Sequence, residues 1–466
     1  MFSSLASHPM VQKIIAASSP ENDRPPAWVT ALFLTALLLG LSIRFAFVLD
    51  GHPALSSDEV NIYHYFESLQ NPGEKTDFLY WHWDSRELRY WVFYSLFALS
   101  GKHLGSIGFI AGTINALLYL LWAYALFRRT KNWRVLVPFL VFIALPAPCV
   151  SCWGTLLCEL RPSLFYGAVL TAFAGAWFGN PIRLILFALI SGWGCGEDFF
   201  TLSFVVPVLL YEKEAWMPKP WLAILQRWAL FLAGAGLAFA FSFSHSWMGF
   251  EFHNGYMQHG ISSPRESLRH LGILAGSLPA YWLGGIPFGY LQNSQLGRWL
   301  NPMPPSWFQW AALILFWPLF LGALLGSLSF FREPQNRKEA LLWYGPAFLL
   351  LSFFIFGKQI WDVLTLRYLE YFQFLIPALL AFFALGAGRK LWLWKSLVVL
   401  WAFLHAGTLA YGFSLNSGQH PAQRVALRLE EMDLGAGFGA YWLSEPVRYF
   451  SANRVLLNPY NAPPFD

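Results

Sequence analysis

The chain has 466 residues, 56% of them hydrophobic and only 12% charged, with a formal net charge of +5. A soluble domain carries roughly a quarter charged residues, so this composition speaks against a water-soluble globular protein and for an integral membrane protein in contact with a lipid bilayer. Its basic residues form short clusters at 128–131, 332–338 and 389–395. None is dense enough to suggest a nucleic-acid partner, and short basic loops between spans mark the cytoplasmic side.

Residues 1–27 are polar, with Lys13 and Arg24, and are expected to form a cytoplasmic tail. The first apolar segment, 28–49, is long for a signal peptide and is followed by more of its kind, so it reads as a retained anchor. Further apolar segments run over 90–103, 106–127, 135–148, 162–179, 182–195, 198–211, 221–243, 271–290, 308–330, 340–357, 369–387 and 396–413. Several are shorter than the ~20 residues of a straight span, so half-helices or re-entrant pieces are expected. Lipid cannot satisfy a free backbone. The expected fold is therefore an all-α polytopic membrane protein of about 10–13 transmembrane helices, in one membrane domain over 28–413.

Three connections are long enough to carry function. The first, 50–89, holds Asp50, Asp58, Glu59, Glu67, Glu74, Asp77, Asp84 and Glu87 against Lys75, Arg86 and Arg89. This acidic balance places it outside the cytoplasm. Residues 60–69 are aromatic on one side and polar on the other, which fits a helix lying in the interface, and Trp81-His82-Trp83 reads the same way. The second, 244–270, contains His245, His253, His259, Arg265 and Arg269, and Ser263-Pro264-Arg265-Glu266 marks a helix start with Ser263 as N-cap. The third, 414–466, is a small extracytoplasmic segment. It has helical periodicity over 421–432 and two short strands at 439–443 and 447–457. One sign conflicts: counting strictly alternating spans puts 128–134 outside, against the positive-inside rule.

Charged groups at membrane depth cost several kcal/mol unless paired or hydrated, which makes them functional candidates. They are Arg44, Asp58, Glu59, Glu159, Arg161, Glu197, Asp198, Lys358, Asp362, Arg367 and Glu370. A carboxylate at an apolar boundary has a raised pKa and suits a general base, which singles out Asp58. Glu59 beside it points elsewhere on a helix, and the pair also fits a solvated helix end. Glu159 and Arg161 flank a helix mouth opened by Pro162; an internal ion pair closing that mouth is the plainer alternative. Gly194-Cys195-Gly196-Glu197-Asp198 reads either as a broken helix lining a cavity or as an interhelix turn. Arg367 and Tyr368, with Lys358 upstream, could hold a lipid phosphate or anchor the chain at the interface. Cys149-x-x-Cys152 lacks a second ligand pair, and Cys149, Cys152, Cys158 and Cys195 fit apolar packing. The histidines show no stereotyped ligand spacing, so no metal is expected. No phosphate-cradling Gly loop occurs, so neither is a soluble nucleotide.

Together these pieces resemble the GT-C superfamily of polyprenyl-phosphate-sugar-dependent glycosyltransferases, nearest its protein O-mannosyltransferase and aminoarabinose transferase branches. Ser57-Asp58-Glu59-Val60-x-x-Tyr63 looks like the family's Asp-Glu motif in the first extracytoplasmic loop. Arg89-Tyr90-Trp91 through Phe97-Ala98-Leu99-Ser100-Gly101 is similar to the segment after it. Arg367-Tyr368 before an apolar span with Pro377 resembles a late motif, and Gly439-Ala440-Tyr441-Trp442-Leu443 to Pro459 is similar to the tails of bacterial members. Two places depart: Arg86-Glu87-Leu88-Arg89 stands where many members have His-Pro-Pro, and Glu197-Asp198 where many have Lys.

The resemblance implies a GT-C-like bundle in the cell (inner) membrane with its active site on the extracytoplasmic face. The donor would be a sugar on a polyprenyl phosphate, and the acceptor a lipid, glycan or protein. Asp58 would be the base, Glu159 a second acid, and Arg161 and Arg367, with Tyr368 and Lys358, the donor-phosphate ligands. The family has metal-dependent and metal-independent branches; without a D-x-D this chain falls with the latter. A transporter or flippase of lipid-linked saccharides, and a saccharide polymerase or ligase centred on 244–270, are the alternatives.

Overall fold

Helices make up nearly all of the structure, a computed structural model that describes residues 27–49, 95–96, 98–99, 104–146, 162–216, 221–245, 261–282, 306–357, 369–415, 421–440, 444, 447–448, 450–452 and 454–460. They are α1 (Ala27–Leu49), α2 (Leu104–Thr130), α3 (Leu136–Ala144), α4 (Pro162–Ala172), α5 (Pro181–Glu197), α6 (Leu202–Tyr211), α7 (Trp221–His245), α8 (Pro264–Trp282), α9 (Ser306–Phe331), α10 (Arg337–Phe356), α11 (Phe372–Gly386), α12 (Leu391–Leu415) and α13 (Pro421–Glu431). Two short strands follow, β1 (Ala436–Ala440) and β2 (Leu456–Tyr460).

Among the described residues five helical stretches are long and apolar enough to cross a membrane: Ala27–Ala46, Trp221–Ser242, Ile314–Phe331, Pro334–Phe356 and Leu391–Ala410. Their outward faces are as apolar as their inward ones. Leu34 and Leu38 on α1, Leu232 and Leu237 on α7, Ile314 and Leu325 on α9, and Trp392 and Phe403 on α12 are all exposed. A helix hydrophobic all round belongs in the middle, and α11 takes that place, with every residue from Phe372 to Phe383 buried. Trp122 of α2 packs there against Trp343, Tyr371 and Phe374, with ring centroids 5.3–5.8 Å apart.

Side-chain contacts sort the helix termini into two ends. Trp28 at the start of α1 meets Trp133 just before α3, with centroids 5.4 Å apart. Arg129, in the last turn of α2, pairs with Glu339 in the first turn of α10 at 2.5 Å and donates to the Ala174 carbonyl past α4 at 2.7 Å. Tyr211, closing α6, donates to Glu339 at 3.2 Å, and Lys338 pairs with Glu214 at 2.9 Å. Gly386, closing α11, lies against Ser329 and Phe330 of α9. This end gathers Arg128, Arg129, Lys131, Arg134, Arg183, Lys213, Arg332, Arg337, Lys338 and Lys390 against Glu212, Glu214, Glu333 and Glu339.

The conflict over 128–134 is thereby removed: this cluster shares an end with 332–338. α1 and α2 are antiparallel neighbours, tied by Arg44 and Asn115, so the chain leaves α1 and rejoins α2 at the same, far end.

At the far end Ser262 donates to the Phe356 carbonyl at 2.7 Å, and α8 begins at Pro264. The Ser263 N–H bonds Glu266 at 2.7 Å and the Glu266 N–H bonds Ser263 Oγ at 3.3 Å, the reciprocal capping box. α8 therefore starts seven residues ahead of the 271–290 segment read from hydropathy, because its first turns are polar. The tail differs in register from expectation. β1 and β2 pair in parallel, Ala436 with Leu456, while Val447 is helical and buried with Ala422, Ala426 and Val455. A parallel pair needs a crossover between its strands, and the 447–448 region lies in that crossover instead of in a strand.

Candidate functional site

Asp58, Glu59, Glu159, Arg161, Lys358, Arg367 and Tyr368 lie outside the described residues, as do the interfacial segments 60–69 and 81–83, Asp362, Cys149, Cys152 and Cys158. The helix termini that bracket them are described. α1 ends and α2 begins at the far end, α3 ends and α4 begins toward it, and α10 ends and α11 begins toward it. Among the described residues no three His, Cys, Asp or Glu side chains converge as metal ligands.

The most developed polar site that the described residues form lies where α3 stops. Pro146 disfavours helical backbone at the residue before it, and Leu145 accordingly turns to φ −122°, ψ 79°. α3 thus ends after nine residues, about 14 Å of helix at ~1.5 Å per residue, well short of a full span. The last carbonyls of a helix have no partner within it, and here two of them are taken by side chains from other helices. Arg44 Nη1 donates to the Ile143 carbonyl at 2.8 Å, and His405 Nδ1 donates to the Leu145 carbonyl at 2.7 Å. A carbonyl only accepts, so the proton sits on Nδ1 of His405.

Arg44 extends this site sideways. Nη1 also donates to the Gly40 carbonyl at 3.0 Å, and Nη2 donates to Asn115 Oδ1 at 3.0 Å. Asn115 Nδ2 passes the chain on to Gln373 Oε1 at 3.3 Å. Arg44 is 1% exposed, and Asn115, Gln373 and His405 are fully buried. Glycines make the room: a Cβ at Gly40 would strike the Ile143 carbonyl, and one at Gly112 would stand 3.0 Å from Arg44 Cβ. The guanidinium therefore lies on the negative end of the α3 dipole, where a cation is favoured. Glu370, also buried, closes the turn before α11.

A second polar corner joins α4, α5 and α6. Asp198 accepts from Ser163 Oγ at 2.6 Å, from Ser163 N at 3.3 Å and from Phe200 N at 3.1 Å. It caps the starts of α4 and of the turn Phe199–Thr201 together, a role that suits a carboxylate. Glu197 beside it accepts from Tyr166 OH at 2.7 Å and Trp193 Nε1 at 2.6 Å. Gly194 to Glu197 form the last turn of α5, and Asp198 ends that helix and starts the turn Phe199–Thr201 into α6. Pro162 opens α4 as its first residue, and Cys195 is a free, half-buried thiol.

At the basic end, Glu212 accepts from Gly175 N at 2.6 Å and Trp177 N at 3.2 Å. Burial pushes its carboxyl above the usual range, against the pull of these N–H groups and of Arg129.

Arg44, Glu197, Asp198 and Glu370 were legible as charges inside apolar sequence. Asn115, Gln373 and His405 were not singled out; their signal is a lone polar residue in an otherwise apolar helix, which windowed hydropathy averages away. No protein-family model and no curated protein matches the chain.

Proposed function

We propose that the chain is a multi-pass membrane glycosyltransferase of the GT-C kind. It moves a sugar from a polyprenyl-phosphate donor to an acceptor hydroxyl on the extracytoplasmic side, with inversion. The observation that carries this reading is the polarity of the bundle. Basic side chains crowd one end, which the positive-inside rule assigns to the cytoplasm. The segments holding Asp58, Glu159, Arg161, Lys358, Arg367 and Tyr368 all begin and finish on helix termini directed to the other end. The short helices α3 and α4 support it further, because helices that stop at membrane depth belong to sites lined by protein or solvent.

In this reading Asp58 accepts the proton of the acceptor hydroxyl as its oxygen bonds to the anomeric carbon. The bond from that carbon to the phosphate oxygen breaks, and polyprenyl phosphate leaves. Arg161 and Arg367, with Lys358 and Tyr368, hold the developing phosphate charge. Glu159 is the second acid, and Glu59 lends negative potential next to the base.

The test is transfer of radiolabelled sugar from a polyprenyl-phosphate donor by the purified chain and by Asp58→Asn. A loss of at least ~100-fold, the usual worth of a general base, is expected. Undiminished transfer removes Asp58 from the chemistry, and movement of the lipid-linked saccharide across the bilayer without covalent change makes the chain a transporter. Sidedness is checked separately: a cysteine at Ser56 should react with a membrane-impermeant maleimide from the extracytoplasmic side.

A further inference from the structure

The candidate span Trp221–Ser242 on α7 holds one charged residue, Arg227. It lies six residues after Trp221, about 9 Å along the axis at ~1.5 Å per residue. An arginine inside a span is costly unless its head reaches a cavity, headgroups or a partner, and the proposed chemistry makes no use of this one. Arg227 is half-buried and lines a groove with Phe178, Leu209, Trp228 and Phe231. Phe178 comes from the turn Trp177–Gly179 ahead of α5, and Leu209 from the last turn of α6. The aromatic wall is held in place from behind. Phe187 of α5 stacks on Phe231 at 5.4 Å and meets Phe178 at 5.5 Å, and Trp228 meets Phe231 edge-on at 5.9 Å. Farther along, Ser242 Oγ donates to the Trp193 carbonyl at 3.1 Å, which fixes α7 on α5.

We propose that this groove binds one phospholipid with an anionic headgroup, drawn from the leaflet at the basic end. Its phosphate sits on Arg227, and one acyl chain runs along Phe178, Leu209, Trp228 and Phe231. Three observations select this occupant. Beside the groove, Val206 and Leu210 on α6 and Leu225 and Leu232 on α7 are exposed apolar side chains, so its apolar part opens toward hydrocarbon. Its free space is about 190 Å³, below the ~300–1,000 Å³ of pockets that take a whole small molecule and suited to part of a chain whose remainder stays in the bilayer. The charge around it is positive. Arg183 reaches over the same turn, with Nη1 3.5 Å from where a Cβ on Gly179 would stand. Glu212, in contact with that turn, is buried against the N–H groups of Gly175 and Trp177 and does not line the groove. Guanidinium suits the phosphate because its planar fork bonds two oxygens at once. A second cation favours an anionic headgroup over a zwitterionic one. The site lies at the end opposite the proposed transfer chemistry and rests on no assignment of activity.

The test uses the full-length chain, stripped of lipid in detergent and titrated with phosphatidylglycerol or with phosphatidylcholine of the same acyl chains. Native mass spectra read the retained lipid, and the melting midpoint reads its linkage to the fold. Phosphatidylglycerol should be retained in preference to phosphatidylcholine and should raise the midpoint, as a ligand of the folded state does. Arg227→Gln should weaken its retention ~10-fold, as for loss of a charge-assisted hydrogen bond. Leu209→Trp fills the apolar part and should weaken it at least as much. Arg337→Gln removes an exposed cation of the same end that does not line the groove and should leave retention unchanged. Each variant is first compared with the unaltered chain for its midpoint without lipid; if Arg227→Gln does not fold, Leu209→Trp against Arg337→Gln decides. Equal retention of the two lipids overturns the proposal. So do equal losses in Arg227→Gln and Arg337→Gln, which would make the attraction one of diffuse charge. Unchanged retention in Leu209→Trp, with inorganic phosphate displacing the lipid, would leave a site for free phosphate and overturn it as well.

Discussion

The indole N–H of Trp317 on α9 donates to the backbone carbonyl of Ala275 on α8 at 2.8 Å. In a regular helix that carbonyl would bond the N–H of residue 279, and residue 279 is Pro279, which has none. A side chain from the neighbouring helix thus fills a backbone vacancy that proline creates. Ala275 faces outward; in water the vacancy would be harmless, whereas in hydrocarbon no solvent can fill it.

The first prediction follows from that difference. Trp317→Phe keeps an aromatic ring at the position and removes the donor. The expected cost is about 0.5–1.5 kcal/mol, the net worth of one hydrogen bond, read as a lower melting midpoint in detergent or vesicles. Pro279→Ala supplies the missing N–H, so the double variant should recover most of the loss. Failure of Pro279→Ala to rescue would mean the indole contributes packing alone.

How far the sequence reveals this molecule depends on the range of the interaction. Local signals read true. Ser263, Pro264 and Glu266 open α8 as a capping box, Pro162 opens α4, and the tail helix covers Pro421–Glu431 as its periodicity indicates. The early end of α3 was not legible, because 135–148 is one apolar run by composition. What makes a half-helix tolerable there is a pair of partners 99 and 260 residues away in sequence, Arg44 and His405. Asn115 and Gln373 escaped notice for the same reason, since each matters only through the other. The strands of the tail slipped in register because Val447 and Val455, β-formers by type, are drawn into a small core against α13.

The pairing of Arg129 with Glu339 gives the second prediction. Their side chains are 6% and 16% exposed, and Arg129 also holds the Ala174 carbonyl. Removing one member of a buried ion pair strands the other and costs about 3–5 kcal/mol, while replacing both with apolar groups is far milder. Arg129→Leu should therefore lower the melting midpoint much more than Arg129→Leu combined with Glu339→Leu. A double variant at least as unstable as the single would show that Arg129 acts through the Ala174 carbonyl and not through the ion pair.

Glu212 gives a pH-dependent prediction. Burial raises its pKa in the folded chain above the ordinary glutamate value, so the fold favours the protonated form. Its contribution to stability is full below the unfolded pKa and is lost as pH rises from there through the raised folded value, after which it is flat. Glu212→Gln keeps an acceptor for Gly175 N and Trp177 N and cannot ionise. The melting midpoint of the unaltered chain should fall relative to that of Glu212→Gln as pH is raised through this window. Parallel curves for the two proteins would show that the carboxylate is held without cost.

Two glycines at the α5–α7 contact separate close packing from mere helix propensity. A Cβ at Gly192 of α5 would run into the backbone carbonyl of Ala235 on α7, and rigid backbone cannot move aside as a side-chain tip does. One at Gly236, next in sequence to Ala235, would meet nothing within 4 Å. Small residues let helix backbones approach closely where no hydrophobic effect drives association. Gly192→Ala should therefore push α5 and α7 apart and cost about 1–3 kcal/mol, the usual penalty of overpacking. Gly236→Ala should be neutral or stabilising by up to about 1 kcal/mol, since alanine is the better helix former. The two substitutions add the same methyl group, so melting midpoints that move in the same direction by similar amounts would contradict the close backbone contact at Gly192.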